Sequence, residues 1–230
     1  KDTTSEKKLY DYQIKDLYRI FDVMAEEADN YNLLYQLPTG GGKTVIFSEI
    51  ERRYIEKHKK KVVILTHRIE LCKQTSNVLT GFNVKNKVIN SKVKTLPDQD
   101  EYQCFVAMVE TLNNRLSDND FQLKNVGLVI IDEAHYMLDF DNKPLRDLIA
   151  VGRNKGLSII LATQNMDSYK SKYFDFYANA QYPLIMKQQS ITDAVIKDLF
   201  GVSGNEFQEI KEAIAGLALG ELIIKDNTNI

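Results

Sequence analysis

The chain has 230 residues, 43% of them apolar, enough for one large α/β core or two small ones. Its 30 basic and 32 acidic side chains nearly cancel, so no global field draws it to nucleic acid and any such contact must come from local patches. Cys72 and Cys104 are too few for a zinc ligand set, and no apolar run is long enough to span a bilayer, so a soluble protein of the reducing cytoplasm is expected.

Taken in chain order, Lys7 to Met24 reads as a helix, with apolar positions at Leu9, Tyr12, Ile14, Leu17, Ile20 and Phe21. The strand-like run Leu33-Leu34-Tyr35-Gln36-Leu37 leads into Pro38-Thr39-Gly40-Gly41-Gly42-Lys43-Thr44, and Val45-Ile46-Phe47 begins a helix that continues through Glu51 and Glu56 toward Lys61. Val62 to Leu65 is wholly apolar, as expected of a strand buried on both faces of a parallel sheet. A helix is expected over Arg68 to Leu79, a weakly patterned strand within Val84 to Lys94, a stronger one over Cys104 to Val109, and the strongest over Val126 to Ile131. Beyond these come a helix over Lys143 to Val151, strands over Leu157 to Ala162 and Pro183 to Met186, helices over Ile191 to Phe200 and Glu206 to Ala215, and a last strand over Glu221 to Ile224. Strands alternating with helices of this length predict right-handed crossovers and an α/β fold with a doubly wound, mostly parallel sheet of seven to eight strands.

The loop between the first strand and its helix has the residue types of a phosphate cradle. Glycines at 40, 41 and 42 let successive N–H groups turn inward, and the helix that follows offers its electropositive end. Lys43 supplies a compact positive charge for the β- and γ-phosphates, and the Thr44 hydroxyl a position on Mg²⁺. Asp132 and Glu133 follow the most apolar strand, at the sheet edge where the loop should open. There Asp132 is expected to hold Mg²⁺ through water, and Glu133 to orient the attacking water and take its proton. Gln164 ends a later strand, and its amide is placed to reach the γ-phosphate or that water. His135 beside the acidic pair is expected to couple the site to neighbouring structure, and Thr163 to act there or only as a strand-end hydrogen bonder.

From about Leu9 to His135, the order and spacing of these motifs resemble the first RecA-like motor domain of superfamily 2 helicases, in particular the DEAH-box type. The resemblance implies that Gln13, following Tyr12, reads adenine; that Thr39 to Thr44 is the nucleotide loop; and that Asp132-Glu133-Ala134-His135 is the acidic motif. It also implies that Thr66 and Arg68, with Thr111 in Val109-Glu110-Thr111-Leu112, contact the backbone of a nucleic-acid strand. The last part of the chain departs from this pattern. Leu161-Ala162-Thr163-Gln164-Asn165 replaces the usual Ser/Thr-Ala-Thr motif and resembles the segment of FtsK/HerA-type DNA translocases that ends in a polar sensor glutamine. One RecA-like P-loop NTPase domain over 1–230 is therefore expected, with a helicase-like part to 125 and a translocase-like remainder, as a divergent natural arrangement or a chimera.

In superfamily 2 motors, a second RecA-like domain brings arginines to the γ-phosphate. After Ile131 the chain has only Arg146 and Arg153, so a second such domain or a neighbouring subunit is expected to complete the site, and the chain alone should be a weak Mg-dependent ATPase that does not unwind. The competing reading is a nucleotide-binding scaffold whose loop survives without coupled catalysis.

Overall fold

The structure, a computed structural model, describes residues 9–26, 32–36, 42–118, 120–138, 142–164, 172–173, 175, 179–180, 182–187, 191–218 and 221–224. Within them lie eight strands: β1 (Asn32–Gln36), β2 (Lys61–Thr66), β3 (Asn86–Ile89), β4 (Cys104–Met108), β5 (Val126–Ile131), β6 (Ser158–Thr163), β7 (Tyr182–Met186) and β8 (Leu222–Ile224). The helices are α1 (Asp11–Glu26), α2 (Lys43–His58), α3 (Ile69–Gly81), α4 (Val109–Leu116), α5 (Ala134–Leu138), α6 (Lys143–Val151), α7 (Asp193–Phe200) and α8 (Gly204–Gly216).

All eight strands form one sheet in the order β3-β4-β2-β5-β6-β1-β7-β8. Every neighbouring pair is parallel except β7 and β8, so the expected mostly parallel sheet is present with an antiparallel edge. Alternate residues of the central strands feed two apolar layers. Leu33, Ile64, Val106, Ile130 and Ile160 pack on one face with α1 and α2, whereas Leu34, Val63, Phe105, Val129 and Leu161 pack on the other with Met137, Ile149 and Val195. Burial on both faces is why these strands read as continuous apolar runs, each fully buried Ile or Leu contributing roughly 1.5–3 kcal/mol.

The order places β6 between β5 and β1, and β1 between β6 and β7. Strands from the C-terminal half are thus threaded among those of the N-terminal half, and the helicase-like and translocase-like parts of the sequence are not separate structural modules. One local expectation also needs correction. Val109 begins α4 instead of ending β4, because the apolar run continues from a buried strand into a helix whose Val109 and Leu112 are buried in turn. The strand expected within Val84 to Lys94 is present as β3, Asn86–Ile89. Cys72 and Cys104 are both buried free thiols. Among the described residues, no helix is long and apolar enough to cross a membrane.

Candidate nucleotide site

The carboxyl ends of β1, β2, β5 and β6 lie side by side, with Leu65 opposite Ile131 and Ile131 opposite Leu161. The ladder extends one residue beyond β5, where the Asp132 amide donates to the Leu65 carbonyl at 2.9 Å. The chain then leaves the sheet abruptly, because Glu133 takes a left-handed backbone conformation at φ 54° before α5 begins. For a non-glycine residue this conformation is uncommon and costs about 1–3 kcal/mol when enforced. It turns a carboxylate delivered by a rigid strand across the sheet edge toward α2.

Lys43, the first residue of α2, meets both carboxylates there. Its ammonium pairs with Glu133 Oε1 and lies 3.4 Å from Asp132 Oδ1. Gln164, just past β6, donates through Nε2 to the same Glu133 Oε1. His135 Nδ1 lies 3.2 Å from Thr163 Oγ1 and 3.7 Å from Glu133 Oε2. Thus Lys43, Asp132, Glu133 and Gln164 form one constellation, with His135 at its flank and Thr163 behind His135. Thr44 is in the first turn of α2, its carbonyl accepting from Ser48 Oγ at 2.8 Å. Thr39, Gly40 and Gly41 lie outside the described residues.

Asp132 and Glu133 are buried at 8% and 6% exposure. Burial pushes the Asp132 carboxyl above its ordinary range, against the pull of Lys43 and with the nearby Glu133 charge adding to the rise. Asp132 Oδ1, 3.4 Å from the Lys43 ammonium, and Glu133 Oε2, 3.7 Å from His135 Nδ1, are buried with only these long charge contacts and no close hydrogen bond. Carboxylate oxygens left in that state favour a cation or a water that can donate to them. Magnesium commonly takes one or two protein carboxylates together with substrate phosphates and waters, and this donor set fits that arrangement. Among the described residues no group of three or more His, Cys, Asp or Glu side chains forms a closed metal site.

Gln13 is 2% exposed on α1, with its Oε1 accepting from the Tyr10 amide at 2.9 Å. Gly42, left-handed at φ 75°, lies directly against it: a Cβ on Gly42 would sit 2.4 Å from Gln13 Nε2. The residue expected to read the base therefore packs against the loop expected to hold the phosphates. Gly42→Ala should displace the Gln13 amide and strain the loop at once, the left-handed backbone alone costing roughly 1 kcal/mol or more. The expected result is weaker nucleotide binding with reduced preference for ATP over GTP, measured by competition against a fluorescent nucleotide. Unchanged affinity and base preference would separate Gln13 from base reading.

The three residues implied to touch nucleic acid are placed differently. Arg68 is exposed at the N-terminus of α3, and Thr111 is half-buried in α4. Thr66 is fully buried at the end of β2; its hydroxyl donates to the Arg68 carbonyl at 3.1 Å and lies 3.0 Å from Cys72 Sγ. Its side chain therefore anchors the turn that presents Arg68.

One contributor that sequence reasoning passed over is Gln36. It is fully buried at the end of β1, donating through Nε2 to the Gln164 carbonyl at 2.9 Å and accepting from the Met186 amide at 2.9 Å. Its amide ties β1 and β7 to the backbone of Gln164. The available signal was a lone amide at the end of an otherwise apolar strand.

The comparisons with known proteins bear on this architecture. Residues 6–150 match the family described as "Type III restriction enzyme, res subunit". A curated relative, "Putative ATP-dependent helicase IRC3" of Saccharomyces cerevisiae, is 38% identical over 106 residues, which cover 44% of this chain and 15% of the relative. Among solved structures, the Sulfolobus solfataricus SWI2/SNF2 ATPase core in complex with dsDNA aligns with a TM-score of 0.51 at 17% identity, over 70% of this chain and 32% of that one. The UvsW helicase of bacteriophage T4 aligns over 66% of this chain and 51% of its own, at 18% identity and a TM-score of 0.48. The chain thus spans less than two thirds of each of these proteins. With Lys43 and the acidic pair meeting at the carboxyl edge of a RecA-like P-loop NTPase fold, and with more than half its length matched, the chain belongs to the family described as the res subunit of type III restriction enzymes.

Proposed function

We propose that this domain binds Mg-ATP at the carboxyl edge of its sheet and hydrolyses it slowly, as one half of a nucleic-acid-dependent motor. The observation that carries this reading is the meeting of Lys43, Asp132, Glu133 and Gln164 from three separate segments of the chain. In this reading Lys43 binds the β- and γ-phosphates, while Thr44 and Asp132 hold magnesium, which when bound supplies Lewis-acid neutralisation of the developing phosphate charge. Glu133 orients the attacking water and takes its proton, Gln164 steadies Glu133 Oε1 from the side, and Gln13 reads the base. Thr39, Gly40, Gly41 and Gly42 supply the phosphate cradle.

Arg68 and Thr111, on the same side of the sheet as the strand carboxyl ends, are the contacts we propose for the backbone of a nucleic-acid strand, with Thr66 positioning Arg68. The helicase description of the IRC3 relative and the duplex in the SWI2/SNF2 complex favour such a partner. A second RecA-like domain or a neighbouring subunit would supply the arginine that fast phosphoryl transfer requires. Residues 1–230 are taken as one domain.

The test is Mg-ATP binding followed by turnover, with and without single-stranded DNA or RNA. Binding at millimolar nucleotide, slow hydrolysis and no strand separation are expected. A chain that ignores Mg-ATP at that concentration rejects the nucleotide reading, and processive unwinding by the monomer rejects the incomplete-motor reading.

A further inference from the structure

The strand β1 lies between β6 and β7, and its last residue is Gln36. There Gln36 stands opposite Thr163 on one side and Ile185 on the other. The next row of the parallel ladder is that of Gln164 and Met186, and the Gln36 side chain reaches into it. Its Nε2 donates to the Gln164 carbonyl at 2.9 Å, and its Oε1 accepts from the Met186 amide at 2.9 Å.

A side-chain amide can do this because it carries a donor and an acceptor on one planar group, as a peptide unit does. Gln36 is fully buried, so its amide is tolerated only with both ends bonded, which fixes its orientation. The Gln164 backbone is thereby held while the Gln164 side chain donates through Nε2 to Glu133 Oε1. We propose that Gln36 is a positioning residue for hydrolysis: it stands in for a peptide unit at the end of β1 and fixes Gln164 where its amide meets Glu133. The proposal rests on the roles given to Glu133 and Gln164 in the function proposed above.

Lys43 also pairs with Glu133 Oε1, but a triphosphate competes for that ammonium. The bond from Gln164 uses no phosphate-binding charge, so it holds the carboxylate when Lys43 is engaged. Gln164 lies just past β6, where the β1–β6 ladder has stopped at the Gln36–Thr163 row. A glutamine side chain is long and flexible, and its amide goes where its backbone puts it. A misplacement of about 1 Å at a reacting group can cost up to roughly 10²-fold in rate. The strand β1 also leads into the phosphate loop, and an effect routed through that loop would weaken nucleotide binding. The split between affinity and rate separates the two routes.

The test is a double-mutant cycle on the whole chain with Gln36→Met and Gln164→Ala. A fluorescent nucleotide reads affinity, and single-turnover phosphate release at saturating Mg-ATP reads the rate. Methionine has nearly the length of glutamine and lacks the amide. Gln36→Met should bind Mg-ATP within about twofold of wild type and release phosphate roughly tenfold more slowly. Gln164→Ala should slow release at least as much, and the double variant should be no slower than Gln164→Ala alone.

Losses that multiply in the double variant overturn the proposal, because Gln36 then acts by a route other than the Gln164 side chain. Unchanged release in Gln36→Met overturns it too, as does a loss confined to affinity, which places the effect in the phosphate loop. Gln36→Asn keeps the amide but is one methylene too short to span both groups. It should give the same non-additive pattern, and it carries the cycle if circular dichroism shows Gln36→Met unfolded. If neither variant folds, Gln36 is a requirement of the sheet and the proposal falls. Wild-type turnover that Gln164→Ala leaves unchanged removes the positioning role while the nucleotide function stands. A wild-type chain that neither binds nor hydrolyses Mg-ATP removes both.

Discussion

Glu133→Gln should keep Mg-ATP binding and lose hydrolysis by a factor of roughly 10²–10⁴, the range associated with a positioned general base. Glutamine has the size and shape of glutamate, so its carbonyl oxygen can still accept from Gln164 Nε2 and from Lys43, both of which meet Glu133 Oε1 in the wild type. What disappears is the charge, and with it the capacity to take a proton from water. Removing that charge also weakens the hold of Glu133 on Lys43, so affinity for the triphosphate should be retained or improved. A fluorescent nucleotide measures binding, and a single-turnover phosphate-release assay measures the chemistry. This pair of readouts separates the motor from the scaffold, in which neither form turns over. Hydrolysis by Glu133→Gln at the wild-type rate would place the base elsewhere, with Asp132 the next carboxylate at the edge.

The two halves of this site were legible in the sequence for the same reason that the fold was. A strand buried on both faces must be apolar along its whole length, so the polar residues that follow Ile131 and Thr163 stand out as belonging to the sheet edge. The glycines before Lys43 carry a backbone requirement that few other functions share. Gln36 escaped notice because what matters about it is distant. Its partners are Gln164, 128 residues on, and Met186, 150 residues on.

The apparent join near residue 125 shows the opposite failure. Short likenesses around Gln164 read as a second kind of module, whereas pairing places β6 between β5 and β1 in one sheet. Strand-end chemistry is a local pattern that unrelated sheets can share, and strand order is a global property that a few residues do not encode. Thr66 illustrates the same limit at one residue: its type suits a phosphate contact, but its depth at the end of β2 commits the hydroxyl to the Arg68 carbonyl and Cys72 sulfur.

Glu51→Met should stabilise the fold, by roughly 3 kcal/mol near neutral pH, and should flatten part of its pH dependence. Glu51 lies on α2 with no exposure, and neither carboxyl oxygen has a hydrogen-bond partner. Burial pushes its pKa up to about 8 from an ordinary value of 4.5, against a smaller opposing pull from the Cys104 thiol. Two residues earlier on the same helix, Glu49 behaves in the reverse way. Arg52 at 2.8 Å and Arg53 at 2.7 Å overcome the effect of its burial and hold its carboxyl below the usual range.

Between pH 4.5 and about 8, the folded chain therefore retains a proton on Glu51 that the unfolded chain has released. Raising the pH through this window favours unfolding, and the contribution is fully lost only above the folded value. Glu49 acts with the opposite sign and below the same window, its contribution disappearing as the pH falls. Asp16, buried against the Tyr35 hydroxyl at 2.8 Å and raised to about 6, adds its own loss of stability with rising pH, so the wild-type profile alone does not isolate Glu51. The difference between wild type and Glu51→Met does, because Asp16 and Glu49 are common to both. Denaturant midpoints should separate progressively from the acidic to the alkaline end of the window. Parallel profiles for the two proteins would mean that Glu51 ionises in the folded state as readily as in water. Methionine is chosen over alanine because its length refills the volume beside Cys104 without leaving a cavity. The gain then comes from removing a buried ionisable group whose burial the Cys104 thiol offsets only in small part.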